Sequence, residues 1–331
     1  MLQKCRNLER KLNYNWVNKI DAMKTLPIIS LSELEKDSPQ EIKKLYDICY
    51  KYGFFYLKEH GVSPEIINQT IETSRNFFEL PLDIKLNYRQ DIQKVYPKTS
   101  RGYVPLYGEF LNKEIGFDPK EIFDLGIERP LSEQPFTGPT VIPDDNIAPG
   151  FASYHYQLQN EIMTKVVPKL LKGLALALEL EANWFDRYFT ELTLIQRTIY
   201  YPARMGKAGK HTDNGIFTVL IQEYFPEPSL RVYSQEEWID VTCTEDVFVI
   251  NLGDMLQMWT KGLFVSTPHE VIHRNSDATR ISIPFFVYPN IDAIIEPFGT
   301  TEKISSKEVM LKNFVSIWET NEGAGRAEEL V

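Results

Sequence analysis

Residues 266–282 read STPHEVIHRNSDATRIS, and the conformation of this stretch decides the fold of the chain around it. It contains HEVIH, which matches the H-E-x-x-H pattern in which two histidines on one helical face bind zinc. However, Val271 and Ile272 are β-branched and a polar RNSD sequence follows, so a helix here would have little more than one turn. A strand is therefore favoured, and a zinc metallopeptidase with Glu296 as a third ligand is kept as an alternative.

A second segment, KHTDNGIFTVLIQEY (210–224), alternates like a strand and carries two possible metal ligands. Because side chains alternate along a strand, His211 and Asp213 lie on one face, where both can bind one ion. His269 is a candidate third ligand from the stretch quoted above. Two histidines and one carboxylate leave positions on iron(II) open for oxygen and a co-substrate, so we hypothesise a non-haem iron site.

Arg280 and Ser282 alternate on one face of the apolar run RISIPFFVYP (280–289). A buried arginine needs a carboxylate partner, which its planar fork binds in a bidentate manner, and the serine hydroxyl adds a donor. A structural salt bridge is the alternative for any single arginine. The position shortly after His269 favours a carboxylate of a bound ligand.

Composition limits the classes of partner. The chain has 331 residues, of which 43% are hydrophobic and 25% charged, as in a soluble globular protein. Its net charge of −10 argues against a nucleic-acid partner, and no apolar run has the length of a membrane span. Its three cysteines are far apart in the sequence and suit a reducing compartment, so we expect a cytoplasmic protein and favour a monomer.

The chain divides into a charged N-terminal leader (1–25), a helical and loop region (26–145), and a part with a long helix followed by short strands (146–331). We expect the last two parts to form one compact unit. The long helical pattern runs over 151–180, and Pro168 should kink it. The many short strands after residue 190 suggest a sandwich or barrel.

Several segments resemble the isopenicillin N synthase-like family of iron(II)- and 2-oxoglutarate-dependent dioxygenases. In the N-terminal part these are GFFYLKEHG and FFELPLDIK; in the C-terminal part they are RTIYYP, HTDNG, VINLGDMLQMWTKGLFVSTPHEVIHR and RISIPFF. The resemblance runs in order from about residue 26 to 298. Ile199 stands where many members have asparagine and Glu270 where arginine is usual, but neither departure removes a ligand.

This resemblance implies an α+β fold, with a distorted double-stranded β-helix (jelly-roll) core and flanking N-terminal helices. It implies iron(II) as the metal and 2-oxoglutarate and O2 as co-substrates. It assigns the metal to His211, Asp213 and His269, leaving out His273. It assigns the far carboxylate of 2-oxoglutarate to Tyr201, Arg280 and Ser282.

The implied activity is oxidation of a small-molecule metabolite, most simply by hydroxylation, with release of succinate and CO2. An iron-dependent oxidase or cyclase of the same fold is an alternative, in which Arg280 and Ser282 would bind the substrate's own carboxylate. A non-catalytic receptor is a further alternative, disfavoured because the ligand set is complete. Residues 100–126 resemble a segment that borders the family's pocket, and Arg101, Tyr103 and Glu109 are candidates for substrate contacts there.

Overall fold

The computed structural model describes residues 25–93, 95, 101–109, 118–234, 236–273 and 277–319. The predicted leader therefore lies outside the described residues, except for Thr25. The helices are α1 Leu31–Glu35, α2 Pro39–Lys51, α3 Pro64–Phe78, α4 Leu82–Lys85, α5 Phe151–Glu161, α6 Val167–Ala177, α7 Asp254–Trp259 and α8 Ser306–Glu319. None of these described helices has the length and apolar character needed to cross a bilayer.

Fourteen strands are described, and they form two larger sheets and one small hairpin. Their bounds are β1 Ile28–Ser30, β2 Phe54–Lys58, β3 Gly102–Val104, β4 Glu121–Gly126, β5 Leu192–Tyr201, β6 Gly206–His211, β7 Phe217–Gln222, β8 Leu230–Ser234, β9 Glu237–Val241, β10 Val247–Leu252, β11 His269–His273, β12 Arg280–Asn290, β13 Ile294–Ile295 and β14 Ile304–Ser305.

The larger sheet has the order β1-β2-β10-β7-β12-β5-β4-β3, and the smaller one has the order β6-β11-β8-β9. All pairings in these two sheets are antiparallel except that of β1 with β2. The predicted α+β fold with a jelly-roll core is confirmed.

The long helical pattern is interrupted before its proline. A π-helical turn, Ile162–Val166, separates α5 from α6. Pro168 lies in the first turn of α6, where its missing N–H and its ring cannot continue the preceding α-helical ladder. The π turn thus stands just before Pro168, and the helix ends at Ala177, earlier than predicted.

Two apolar clusters lie on the two faces of the larger sheet. The first joins the sheet to the helices, with Leu45, Leu174 and Phe285 among its buried members. The second is smaller and lies between the two sheets, with Tyr201 from the larger sheet and Val271 from the smaller one. The helices therefore support the outside of the jelly roll, and its interior stays free for a site.

HEVIH is a strand, β11, which pairs with β6 on one side and β8 on the other. Four residues of strand separate His269 from His273 by roughly 13 Å, too far for both to bind one ion. His273 lies next to Ser229 Oγ (3.1 Å) and the carbonyl of Ala278 (2.8 Å). The zinc-peptidase alternative is wrong, because it requires a helix at this position.

The turn after β10 packs directly on the loop after β6. The amide of Gly253 donates to the carbonyl of Ile216 (3.0 Å), that of Asp254 to the carbonyl of Asp213 (2.7 Å), and that of Met255 to the carbonyl of Gly215 (3.2 Å). A Cβ at Gly253 would lie 2.1 Å from the carbonyl oxygen of Gly215, a contact that needs glycine. This close approach fixes the backbone that carries Asp213.

Gly253→Ala should therefore destabilise the fold by about 1–3 kcal/mol, because the new methyl group meets rigid backbone. Thermal unfolding of the variant measures the loss. Gly173→Ala is the matched control, because a Cβ there meets only leucine side-chain ends in the middle of α6. It should change stability little or increase it, since alanine favours a helix by about 1 kcal/mol over glycine. Equal effects of the two substitutions would contradict this account.

Candidate active site

A cavity of about 380 Å³ lies between the two sheets. Along β5 and β12 it is lined by every second residue, as expected where one face of a strand looks into a cavity. These residues are Ile195, Arg197, Ile199, Tyr201, Arg280, Ser282, Pro284, Phe286 and Tyr288. The predicted metal ligands and 2-oxoglutarate contacts all line this one cavity.

His211, Asp213 and His269 come together as predicted. Their ligand atoms lie within 4.8 Å of one another, the one such group found among the residues that the structure describes. The Nε2 atoms of both histidines are 3.8 Å from Oδ1 of Asp213. The geometry follows from strand pairing, since His269 of β11 is the direct partner of His211 of β6.

The other ring nitrogen of each histidine faces a backbone carbonyl. Nδ1 of His211 is 2.7 Å from the oxygen of Gly209, and Nδ1 of His269 is 3.3 Å from the oxygen of Thr267. A carbonyl can only accept, so Nδ1 carries the proton in each ring and Nε2 presents its lone pair towards Asp213. Such outer partners commonly orient histidine ligands of metals.

Among the described residues, hydrogen-bond donors hold Asp213 through one of its two oxygens. Its Oδ2 accepts from Thr218 Oγ1 (2.5 Å) and from Asn251 Nδ2 (2.7 Å), and all three residues are buried. Oδ1 is the oxygen that faces the histidines. The carboxylate therefore offers one oxygen to an ion, which leaves more coordination positions for other ligands.

The electrostatic environment favours the protonation states that metal binding needs. Burial and the neighbouring His269 lower the pKa of His211 to about 3, so its imidazole is neutral. Burial opposes ionisation of Asp213, but the two histidines and the hydrogen bonds from Thr218 and Asn251 outweigh it and lower its pKa. Two imidazole nitrogens and one carboxylate suit iron(II) with positions left open.

The predicted 2-oxoglutarate contacts occupy one end of the cavity. Tyr201 and Arg280 are direct partners across β5 and β12, with the guanidinium carbon 5.2 Å from the tyrosine ring centre. Arg280 is 2% exposed, and its Nη2 donates to Gln222 Oε1 (2.7 Å). Its Nη1 has no hydrogen-bond partner among the described residues. A buried cation that lines the cavity and has an unpaired nitrogen fits a ligand carboxylate, as the co-substrate would supply.

The three predicted substrate contacts do not line the cavity, which corrects that prediction. Arg101 donates to Thr140 Oγ1 (2.7 Å) and to backbone carbonyls on the far side of β4. Tyr103 is bonded to Glu121 through its hydroxyl. Glu109 lies behind the wall, where it accepts from Arg197 (3.1 Å) and pairs with Lys120 (3.2 Å). Local sequence pattern cannot show which side of a sheet a loop residue faces.

Four residues of the site were missed in the sequence: Thr218, Asn251, Arg197 and Lys120. Asn251 is not identifiable locally, because its hydrogen bond to Asp213 spans 38 residues. Thr218 is only five residues from Asp213, but nothing in its sequence context marks it as a partner of the carboxylate. Arg197 gave a usable signal, since it alternates with Ile199 and Tyr201 on one strand. The alternation of side chains along β5 that places Tyr201 in the cavity also places Arg197 there.

Comparison with known proteins identifies the family. Residues 26–145 match the model of the non-haem dioxygenase in morphine synthesis N-terminal domain, and residues 192–289 match the model of the 2OG-Fe(II) oxygenase superfamily. The 2-oxoglutarate-dependent dioxygenase traH of Penicillium crustosum is 30% identical over 85% of this chain and 90% of its own. The 1-aminocyclopropane-1-carboxylate oxidase of Dictyostelium discoideum is 28% identical over 85% of this chain and 86% of its own.

The fold agrees with solved structures. A full-length Neurospora crassa protein in complex with alpha-KG and thymine is 25% identical, with a TM-score of 0.75 over 91% of this chain and 98% of that one. The chain belongs to the 2OG-Fe(II) oxygenase superfamily. It is an iron(II)- and 2-oxoglutarate-dependent oxygenase, and the predicted family, activity and cofactors are confirmed.

Asn251→Ala should weaken iron(II) binding by about 10–100-fold, the usual cost of removing an outer partner of a metal ligand. The physical reason is that Asp213 Oδ2 loses one of its two donors, so the carboxylate can turn. Anaerobic titration with Co(II) as a spectroscopic substitute measures the affinity, and the intensity of its visible bands reports the coordination number. Thr218→Val, which removes the other donor, should act in the same direction. Unchanged affinity and spectrum in both variants would contradict the assigned role.

Proposed function

We propose that this protein hydroxylates a small-molecule substrate, with iron(II) held by His211, Asp213 and His269 and 2-oxoglutarate held by Arg280, Ser282 and Tyr201. The observation that carries the proposal is the free Nη1 of buried Arg280, in the same cavity as the ligand trio. Iron(II) with 2-oxoglutarate and O2 supplies the oxidising power, and the keto acid leaves as succinate and CO2.

The protein's own residues position the reactants. Arg280 is directed into the cavity by its pairing with Tyr201 and by its bond to Gln222, so the co-substrate carboxylate meets a fixed donor. Burial raises the pKa of Tyr201 despite the nearby Arg280, so its hydroxyl is neutral and can donate. The apolar cluster between the sheets keeps water away from this end, which strengthens each charged contact.

The oxidase alternative has one specific observation in its favour, the Dictyostelium relative named as an oxidase. In that case Arg280 would bind the carboxylate of the primary substrate. Product analysis separates the two functions, because only the hydroxylase releases one succinate for each substrate oxidised. The broader statement that the partner is a small molecule agrees with the thymine bound in the Neurospora crassa structure.

Arg280→Ala should lower the affinity for 2-oxoglutarate at least tenfold, or about 1.4 kcal/mol, because the carboxylate loses a buried charged partner. Iron(II) binding should remain. The measurement is an anaerobic titration of the iron-loaded protein that follows the visible charge-transfer band of the chelated keto acid. Arg280→Lys should recover only part of the affinity, since an ammonium group lacks the planar fork. If 2-oxoglutarate binds Arg280→Ala normally, Arg280 does not bind the co-substrate.

His269→Ala should abolish stoichiometric iron(II) binding, whereas His273→Gln should retain it. The two histidines share one strand, but only His269 faces Asp213, and His273 is bonded to Ser229 and Ala278 instead. Iron content after anaerobic loading and desalting measures the difference. Loss of iron from both variants alike would refute the ligand assignment.

A further inference from the structure

The cavity wall carries a second arginine besides Arg280. Arg197 lies on β5, four residues before Tyr201 and on the same face, which places it roughly 13 Å along the strand. Its guanidinium lies 5.9 Å from the ring centre of Phe286 on β12. Arg280 and Arg197 are therefore well separated along one wall, and Ile195, Phe286 and Tyr288 line the part beyond Arg197.

The part of the wall that contains Arg197 and Phe286 adjoins the metal ligands. Phe286 is the direct partner of Thr218 in the pairing of β12 with β7, and Thr218 is bonded to Asp213. Tyr288, two residues beyond Phe286, lines the same part of the cavity. A molecule seated against Phe286 would lie beside the metal, on the side away from Arg280.

Arg197 is fixed from behind and still has a donor to offer. Its Nε and Nη2 donate to the two oxygens of Asp124 (both 2.8 Å), and its Nη1 donates to Glu109 (3.1 Å). A guanidinium has five N–H groups, and these contacts use at most four of them. The side chain is 12% exposed, so the remaining donor can reach a molecule in the cavity.

The charges that line the cavity are mostly positive. Lys120, Arg197, Lys210 and Arg280 line it, whereas Asp213 is the only acidic lining residue within the described part of the chain. Lys120 pairs with Glu109 and Asp118, and Arg197 with Glu109 and Asp124, but none of these three carboxylates lines the cavity. Such a buried charge cluster costs more to form than an apolar one, which favours a functional role.

We propose that Arg197 binds an acceptor oxygen of the primary substrate, a carboxylate or carbonyl group, while a flat part of the substrate packs on Phe286. Substrates with an ammonium group at this position would face Arg197 and Lys120 without a carboxylate on the wall to pair with. This inference deepens the proposed function, and it relies on Arg280 being occupied by 2-oxoglutarate.

Three probes test whether the site prefers an acceptor oxygen to an ammonium group: phenylacetate, phenylacetamide and 2-phenylethylamine. All three have a phenyl ring on a two-carbon chain and differ in the terminal group. Each is titrated anaerobically into the wild-type protein loaded with iron(II) and 2-oxoglutarate, and the change in the charge-transfer band gives its Kd. Both oxygen-bearing probes should bind, and the amine should bind at least tenfold more weakly. Phenylacetate binding more tightly than the amide identifies a carboxylate site, and equal binding identifies a carbonyl site. An amine that binds as well as either, or failure of both oxygen-bearing probes, overturns the inference.

Arg197→Lys keeps the charge that Glu109 and Asp124 need but loses the planar fork. It should weaken phenylacetate at least tenfold and leave the 2-oxoglutarate band unchanged. Arg101→Lys is the matched control, a buried arginine away from the cavity, and it should leave the Kd of phenylacetate unchanged. Equal Kd values in Arg197→Lys and wild type overturn the inference. If wild-type protein shows no band with 2-oxoglutarate, the proposed function itself fails, and this inference fails with it.

Discussion

The antiparallel pairing of His269 with His211 is the contact on which the rest of the site depends. It joins two strands that are distant in sequence and places their imidazole rings 4.3 Å apart at the ring centres. Asp213 then needs only to follow β6 in a loop that returns to the same point. The close packing of Gly253 on Gly215 provides this, because it leaves the loop no freedom to move away. A metal site of three side chains is thus fixed mainly by backbone hydrogen bonds.

The buried charged side chains around the cavity are mostly paired, which limits the free-energy cost of burying them. Burial disfavours the ionised form of Glu109, but Arg197 and Lys120 outweigh it and lower its pKa to about 2. Arg197 and Lys120 are thereby held as cations on the cavity side, with their counter-charges behind them. Arg280 differs, because its nearest side-chain partner is the neutral amide of Gln222. Arg280 is therefore the cation that a bound carboxylate would stabilise most.

Sequence reasoning succeeded where a local period carried the information. Alternation placed Arg280 with Ser282, and β-branched residues identified HEVIH as a strand. His211 and Asp213 do come together, but β6 ends at His211 and Asp213 lies in the following loop, so the predicted strand over both residues was wrong. Sequence reasoning failed for contacts between residues that are distant in the sequence. The contact between Arg197 and Glu109 spans 88 residues, so nothing local shows that Glu109 supports the wall from behind. The helix break had a local cause in Pro168, but the sequence gives no signal that it takes the form of a π turn.

Arg197 on β5 and Arg280 on β12 also divide the cavity into two binding regions. Both strands present every second side chain to the interior, so a single antiparallel pairing sets the spacing between a site for one carboxylate and a site for a second acceptor. The metal ligands lie against the part of the wall near Phe286, because Asp213 is hydrogen-bonded to Thr218 opposite Phe286. A 2-oxoglutarate molecule at Arg280 and a substrate at Arg197 would therefore occupy different stretches of the same wall. The register is fixed by backbone hydrogen bonds. Substitutions at positions 195, 286 and 288 can therefore change which substrate fits, while the residues for iron and 2-oxoglutarate stay in place.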